Sequence, residues 1–458
     1  MVSLMLAAGG IIVCLVIYAL IKGYDARVTL IGAGILMACI GGAPMSPLNA
    51  FAKSMTNSGL IQAVCSVMGF AMVVRFTGCD KHLINAMASV ISKVRFFLIP
   101  GVVICTYLVN IALPSAAGTA AAAGAIFIPL LMAAGVGPAL AAAAVKCGTY
   151  GSMLNPGLAH NPFVAKIAGI DVMDVIAFDY KANIASLIVA TIAITAIAHF
   201  LKEDKGHVAE NLQIEKGFHV NPLYALMPVV PIVILLLGST QVVPMFKMGV
   251  PPAMIIGALL TLVVTRTSPK AVGDAFFDGM GSAYGKIIGI IIAAGVFVSG
   301  LTVIGLVKFF IDAMLNNPAI IKLCAALGPF LLGLLTGSGD AATFAFNEAI
   351  TPHALDFGMT EVQMGTMATL GGHSGPYNVA CRWCDDHLRR YRGHQSDGNH
   401  QEKCHPDAPC SGGRHVYSGI LRTCGSSSDV RIRMSFAEKV LLVSTFSHET
   451  EREMKYEV

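Results

Sequence analysis

Charge is scarce in this chain. Only 13% of its 458 residues are Asp, Glu, Lys or Arg, whereas 55% are hydrophobic and the mean hydropathy is +0.70, a balance that excludes a soluble globule. The formal net charge is only +4 and is spread over loops, so there is no concentrated basic surface for nucleic acid. No Gly-x-x-x-x-Gly-Lys-[Ser/Thr] occurs. The nearest fragment, Gly281-Ser282-Ala283-Tyr284-Gly285-Lys286-Ile287, has the wrong first spacing and Ile where a hydroxyl must reach Mg²⁺. ATP-driven transport by this chain is therefore not expected, nor is an enzyme. The seven Cys before residue 371 are scattered, mostly through apolar spans, which argues against a disulfide framework. The first apolar segment lacks a basic region before it and a small-residue cleavage site after it, so it reads as a retained helix.

What is abundant is apolar sequence in lengths suited to a bilayer. Spans fall near Leu4–Ile21, Val28–Ala43, Leu60–Phe76, Phe96–Leu113, Ile184–Phe200, Leu223–Leu237, Pro251–Val264, Ile287–Ile304 and Pro318–Leu335. Shorter or Gly-interrupted runs at Thr119–Ala134, Pro138–Val145, Ala341–Ile350 and Met359–Leu370 are candidates for half-helices and re-entrant segments. Lys22 and Arg27, then Arg75, Lys81, Lys93 and Arg95, form two basic clusters separated by two crossings. The positive-inside rule puts both in the cytoplasm and the N-terminus outside. The fold class expected is an all-α polytopic membrane protein.

Two distant stretches share a layout. Ser115-Ala116-Ala117-Gly118 precedes Pro129 and Gly135, and Ser338-Gly339-Asp340-Ala341 precedes Pro352 and Gly358; 338−115, 352−129 and 358−135 all give 223. A second block, Gly69-Phe70 through Ala86-Met87, parallels Gly295-Val296-Phe297 through Ala313-Met314 at offsets of 226 and 227. Each block alone is compatible with helix packing through small residues; the common order favours two repeated halves with broken or re-entrant helix hairpins. The expected division is a first transmembrane repeat at 1–200, a polar linker at 201–222, and a second repeat at 223–370.

Breaks of this kind can bind anions. A carboxylate brought to mid-membrane must exchange water for fixed donors, and helix N-termini supply them. Ser115, Gly118 and Thr119 at one break, and Ser338, Gly339 and Ala341 at the other, are the substrate-binding candidates. Asp340 lies in the second break and either caps the helix or serves a coupling cation, H⁺ or Na⁺. Glu348 follows two turns later, on a similar face, and is a further ion-coupling candidate. A turn-rich break at Thr149–Gly157 adds Ser152 and Asn155, the latter as donor to substrate or ligand to a cation; an ordinary loop is the alternative. Lys146 is read as snorkelling to the interface and His160 as sitting in water. No cofactor or metal is expected in the membrane part.

The last fifth is different. Residues 371–458 hold 23 of the 58 charged residues, seven of the thirteen His, five of the twelve Cys and the single Trp, Trp383. Cys381-x-x-Cys384 with His387, Cys404, His405 and Cys410 suggests a zinc module, which would make a membrane-anchored metal-binding or regulatory protein. There is little apolar material for such a module to fold around. A shifted reading frame from about Gly371 explains more. The repeat calls for a counterpart of Ile167-Ala168-Gly169-Ile170-Asp171-Val172-Met173-Asp174-Val175 near 391. Codons compatible with Tyr391 to His400 permit Ile-Ala-Gly-Ile-Asn-Pro-Met-Glu-Ile one nucleotide on. Under the same shift Cys410–Arg422 can encode Ala-Val-Ala-Val-Val-Met-Phe-Ile-Ala-Val-Phe-Leu-Gly, part of a membrane span.

Ser115-Ala116-Ala117-Gly118, Gly78-Cys79-Asp80, Asp278-Gly279-Met280, Leu301-Thr302-Val303-Ile304-Gly305 and above all Thr336-Gly337-Ser338-Gly339-Asp340-Ala341 resemble the anaerobic C4-dicarboxylate carriers of the DcuC type. The likeness covers about residues 1–370, with Asp340 in place of the commoner Asn. The family's Gly-Arg-Thr-x-Ser-Pro block is absent in frame, although shifted codons of Pro376–Cys381 can supply Arg-Thr-Met-Ser-Pro. The resemblance implies a secondary transporter in the bacterial inner membrane. Its partners would be small dicarboxylate anions such as succinate, fumarate or malate and the lipid bilayer, with a homodimer as a candidate assembly and no nucleic acid.

Overall fold

The computed structural model describes residues 2–92, 97–200, 218–315, 318–336 and 339–374. Among these the regular structure is entirely helical. The first half contains α1 (Val2–Ile21), α2 (Ala26–Ile40), α3 (Met45–Met55), α4 (Ser58–Phe76), α5 (Cys79–Ile91), α6 (Leu98–Ala112), α7 (Ala116–Ala133), α8 (Pro138–Gly148), α9 (His160–Ala168) and α10 (Val172–Phe200). The second contains α11 (Pro222–Leu226), α12 (Val230–Ser239), α13 (Val250–Thr265), α14 (Pro269–Ala283), α15 (Gly289–Val303), α16 (Leu306–Leu315), α17 (Pro318–Thr336), α18 (Gly339–Ala349) and α19 (Glu361–Ser374). Closed helices satisfy their backbone groups internally, which a bilayer demands. Five helical stretches are long and apolar enough to span one: Leu4–Ile21, Ser58–Phe76, Ala116–Ala133, Val172–Phe200 and Pro269–Val303.

The internal repeat appears directly in the helix boundaries. Adding 226 to the bounds of α2, α3 and α4 gives 252–266, 271–281 and 284–302, where α13, α14 and the π turn with α15 lie. Adding 223 to α6, α7 and α8 gives 321–335, 339–356 and 361–371, where α17, α18 with its following 3₁₀ turn, and α19 lie. The punctuation repeats too. Gly78 (φ 73°), Gly135 (φ 96°) and Gly305 (φ 85°) each end a long helix in the left-handed region, and Gly358 (φ 71°) ends the 3₁₀ turn Thr351–Phe357 in the same way, a conformation that glycine adopts without Cβ strain.

Packing between the halves is exchanged in the way a two-fold repeat requires. Helix α2 packs on α15 while α4 packs on α13, and α3 packs on α15 while α14 packs on α4. Small residues make these approaches possible. A Cβ on Gly300 would lie 2.4 Å from the Gly34 carbonyl oxygen, and one on Gly279 would lie 2.9 Å from Gly69 Cα. At the loop before α2, Asp25 accepts from the N–H groups of Arg27 (2.9 Å) and Val28 (3.3 Å), and Arg27 Nη1 reaches Gly285 O at 3.0 Å. This ties the cap of α2 to the π turn Tyr284–Ile288. The Arg27 hydrogen bond holds the Asp25 carboxyl down from its ordinary 3.8 to about 2.

Four sequence expectations need correction. Thr119–Ala134, expected as a half-helix, belongs to an 18-residue helix that tolerates Pro129 inside it. The expected span Leu223–Leu237 is two helices, α11 and α12, because Pro228 and Pro231 lack the N–H donors that would continue one helix. Ile184–Phe200 begins earlier, at Val172, where Asp171 accepts from Met173 N at 2.8 Å and starts the helix. Ile287–Ile304 runs back through the π turn into α14, giving 35 helical residues. Residues 201–217 of the linker, Lys93 and Arg95, Ser338, and the tail from residue 375, including its proposed zinc ligands, lie outside the described residues. Helix α19 carries on past residue 370 to Ser374.

Candidate functional site

The first break is closed by its own side chains. Ser115, extended at φ −124° and ψ 103°, caps α7 by accepting from Gly118 N at 3.2 Å. Asn110, buried in α6, donates to Leu113 O (3.0 Å) and Thr119 Oγ1 (3.2 Å), and Thr119 Oγ1 donates to Leu113 O at 3.0 Å. Thr119 is fully buried. The Gly118 N–H and the Thr119 hydroxyl thus serve the turn, and the N–H groups of Ala116 and Ala117 are left without intrahelical partners.

Above that turn lies a cation. A Cβ on Gly118 would come within 3.5 Å of Arg75 Nη1, and Arg75, Ser115, Gly118, Thr119, Gly279 and Ser282 line one partly open cavity. The sequence reading placed Arg75 in a topogenic loop cluster. It is instead in the last turn of α4, facing a helix N-terminus, where guanidinium and free N–H groups can share one carboxylate.

The segment 149–161 connects this break with the second. Ser152 N donates to Asn110 Oδ1 at 2.6 Å, and Asn155 Nδ2 donates to Ile111 O at 2.6 Å. Asn155 Oδ1 accepts from Gly157 N, and Asn161 Nδ2 donates to the carbonyls of Met153 and Asn155. Both ends of the Asn155 side chain are therefore spent on holding the segment, whereas Ser152 Oγ is buried with no hydrogen-bond partner.

At the second break Asp340 occupies the first turn of α18 and faces His160. Asp340 Oδ1 lies 3.1 Å from His160 Nε2, the imidazole only 2% exposed and the carboxylate 55%. His160, expected in water, is instead enclosed: its ring stacks on Phe344 at 4.4 Å and 13° and meets His373 edge-on at 5.1 Å. Gly339 and Ala341 are buried at the same helix start. Glu348 is half-buried two turns further along, and the group facing Asp340 is His160. Lys146 is half-buried in the last turn of α8.

Among the described residues the main packing partners of the two helices differ: α7 packs on α5, α6 and α8, and α18 on α15, α17 and α19. They differ in charge. Position 117, the counterpart of Asp340 (340−223), is Ala, and the cation Arg75 stands beside the first break.

The profile of the C4-dicarboxylate anaerobic carriers, DcuC, matches residues 8–370. The chain belongs to the DcuC family. An uncharacterised transporter of Haemophilus influenzae is 40% identical over 237 residues, 49% of this chain and 84% of the relative. The anaerobic C4-dicarboxylate transporter DcuC of Escherichia coli K12 is 24% identical over 378 residues, 75% of this chain and 81% of that one. The crystal structure of the YdaH transporter from Alcanivorax borkumensis superposes with a TM-score of 0.59 at 17% identity, over 87% and 86% of the two chains, a likeness of fold. As a DcuC-family member the chain is a transporter and not an enzyme, a multi-pass protein of the bacterial inner membrane. The family match ends at residue 370, beside the change in composition.

Arg75, Asn110, His160 and His373 are the site residues that sequence reasoning missed or misplaced. Asn110 carried a usable signal: a lone amide inside an apolar span, five residues before a predicted break, has to be paired. His160 and Arg75 gave none, because their partners are remote in the chain.

Proposed function

We propose that this DcuC-family protein carries C4-dicarboxylates such as succinate, fumarate or malate, by cation symport or by exchange. The observation that carries this reading is Arg75 over the N-terminus of α7 in a partly open cavity. One carboxylate would lie between Arg75, the Ser115 hydroxyl and the N–H groups of Ala116 and Ala117, which offset several kcal/mol of lost hydration. The second would be met at the Ser338–Ala341 break of the other half, with Ser152 as an added hydroxyl. Residues 1–200 and 223–370 would act as two transmembrane units joined by 201–222. Of the coupling candidates, Asp340 and Glu348 are the carboxylic acids, and Asn155 has its side chain committed within the protein. Imposed gradients of Na⁺ or H⁺ across proteoliposomes, compared with internal dicarboxylate alone, separate symport from exchange.

The tail belongs to the same proposal. The frame change expected from about Gly371 would begin past His373, because α19 continues as helix to Ser374, and it accounts for the abrupt charge, for the family match ending at 370, and for the permitted Arg-Thr-Met-Ser-Pro and Ile-Ala-Gly-Ile-Asn-Pro-Met-Glu-Ile readings. Sequencing the gene across codons 365–380 tests it; a frame with no insertion or deletion relative to close relatives rejects it.

A further inference from the structure

We propose that His160, Asp340 and His373 form a binding site for a divalent transition-metal ion of the Zn²⁺ or Co²⁺ kind, between the two halves of the protein. One ligand atom from each of the three residues falls within 4.8 Å of the others. They come from α9, α18 and α19, so no helical turn brings them together by default. The 3.1 Å between His160 Nε2 and Asp340 Oδ1 is close to the spacing of two ligands that share a metal at about 2.0–2.2 Å from each. Closing the remaining distance falls to His373, which is half-buried in the last turn of α19.

Ligand chemistry selects the ion. Two imidazoles with one carboxylate suit Zn²⁺, Co²⁺ and their neighbours, whereas Na⁺-like and alkaline-earth ions take oxygen ligands. Three protein ligands leave a coordination position open. The His160 ring is stacked on Phe344, which keeps Nε2 directed at Asp340, and the Asp340 carboxylate is 55% exposed, so the pair is not sealed inside the protein. The repeat adds a second line of support. The counterparts of Asp340 and His373, at 117 and 150 (373−223), are Ala and Tyr, so these polar side chains are particular to the second half and not part of the shared framework.

The tail has its own thiols, so the test uses the full chain with Cys381, Cys384, Cys404, Cys410 and Cys424 each changed to Ser. The purified protein is titrated with Co²⁺ by visible absorption, and its Zn²⁺ form is measured by X-ray absorption. The expected result is one ion per chain in a nitrogen and oxygen shell at about 2.0–2.1 Å, without sulfur at about 2.3 Å. Loss of a group that only orients a metal ligand weakens binding by about 10–100-fold, so His373→Gln, which loses a ligand, should weaken it by at least about 100-fold. His160→Ala should do the same, but it also removes buried packing, so His373→Gln with an unchanged metal-free melting curve is the decisive variant. Binding that survives His373→Gln undiminished, or that disappears altogether with the five tail Cys→Ser changes, overturns the proposal.

Discussion

His160 Nε2 and Asp340 Oδ1 lie 3.1 Å apart, a contact between the first half of the protein and the helix start of the second. Its two partners are unequal. The imidazole is enclosed and stacked, while more than half of the carboxylate is open, so the pair itself contributes at most about 1 kcal/mol. His160→Ala, which empties a packed position between Phe344 and His373, should cost about 2–4 kcal/mol. Asp340→Asn should cost less than about 1 kcal/mol. Denaturant unfolding in detergent measures both, and equal losses would contradict the assignment of the stability to packing.

Arg75 should matter for transport and little for folding. It is exposed in the cavity, and a charge-assisted hydrogen bond to substrate is worth about 1.5–3 kcal/mol. In a transport-competent chain, Arg75→Ala should therefore lower dicarboxylate uptake at low substrate concentration by about 10–150-fold, with Arg75→Lys in between. The melting temperature should not move. A variant that transports normally removes Arg75 from the site.

Asn110 holds the first break together. Its amide donates to Leu113 and Thr119 while its oxygen accepts from Ser152. Asn110→Leu leaves those groups buried and short of partners, at a cost of about 2–4 kcal/mol. Asn110→Ser, which keeps one hydroxyl, should cost less. Thermal unfolding of the two variants checks the order.

The crossing of α2 and α15 has no room for a side chain. Gly300→Val should destabilise by about 1–3 kcal/mol through overpacking, because its Cβ would meet the backbone of Gly34. Gly281→Ala provides the control, since a Cβ there meets nothing within 4 Å.

Asp25 gives a pH-dependent term outside the membrane. Its carboxyl titrates at about 2 when folded against an ordinary 3.8. The contribution is therefore complete above about pH 4 and is lost as the pH falls toward 2. Asp25→Ala should cost about 1 kcal/mol at neutral pH, the usual worth of an N-cap. The difference from the parent chain should vanish at the acid end.

Much of the architecture was legible because bilayer burial imposes simple rules on composition. The apolar spans and the common order that includes Gly135 and Gly358 were readable from composition and spacing, whereas the left-handed backbone at glycines 78, 135, 305 and 358 came from the structure. Helix ends were harder, since Val172 to Asn183 is mixed in polarity yet helical, and two prolines divide what hydropathy reads as one span. The helix starts at Ser115 and Asp340 were legible, because small and polar residues there interrupt apolar runs. Arg75 and His160 were not, because a charge at a helix end reads as topogenic until a partner remote in sequence is placed against it.

The central claim is that the DcuC-family core moves dicarboxylates through a site built from its two breaks. The direct measurement is counterflow of radiolabelled succinate or fumarate in proteoliposomes, comparing the chain as it stands with a restored chain that carries the proposed frame correction within codons 365–380. The account predicts exchange by the restored chain, inhibited by unlabelled dicarboxylate, and slower exchange by the chain as it stands, because the proposed frame change would remove a supporting membrane segment. No exchange by a folded, restored chain would contradict it.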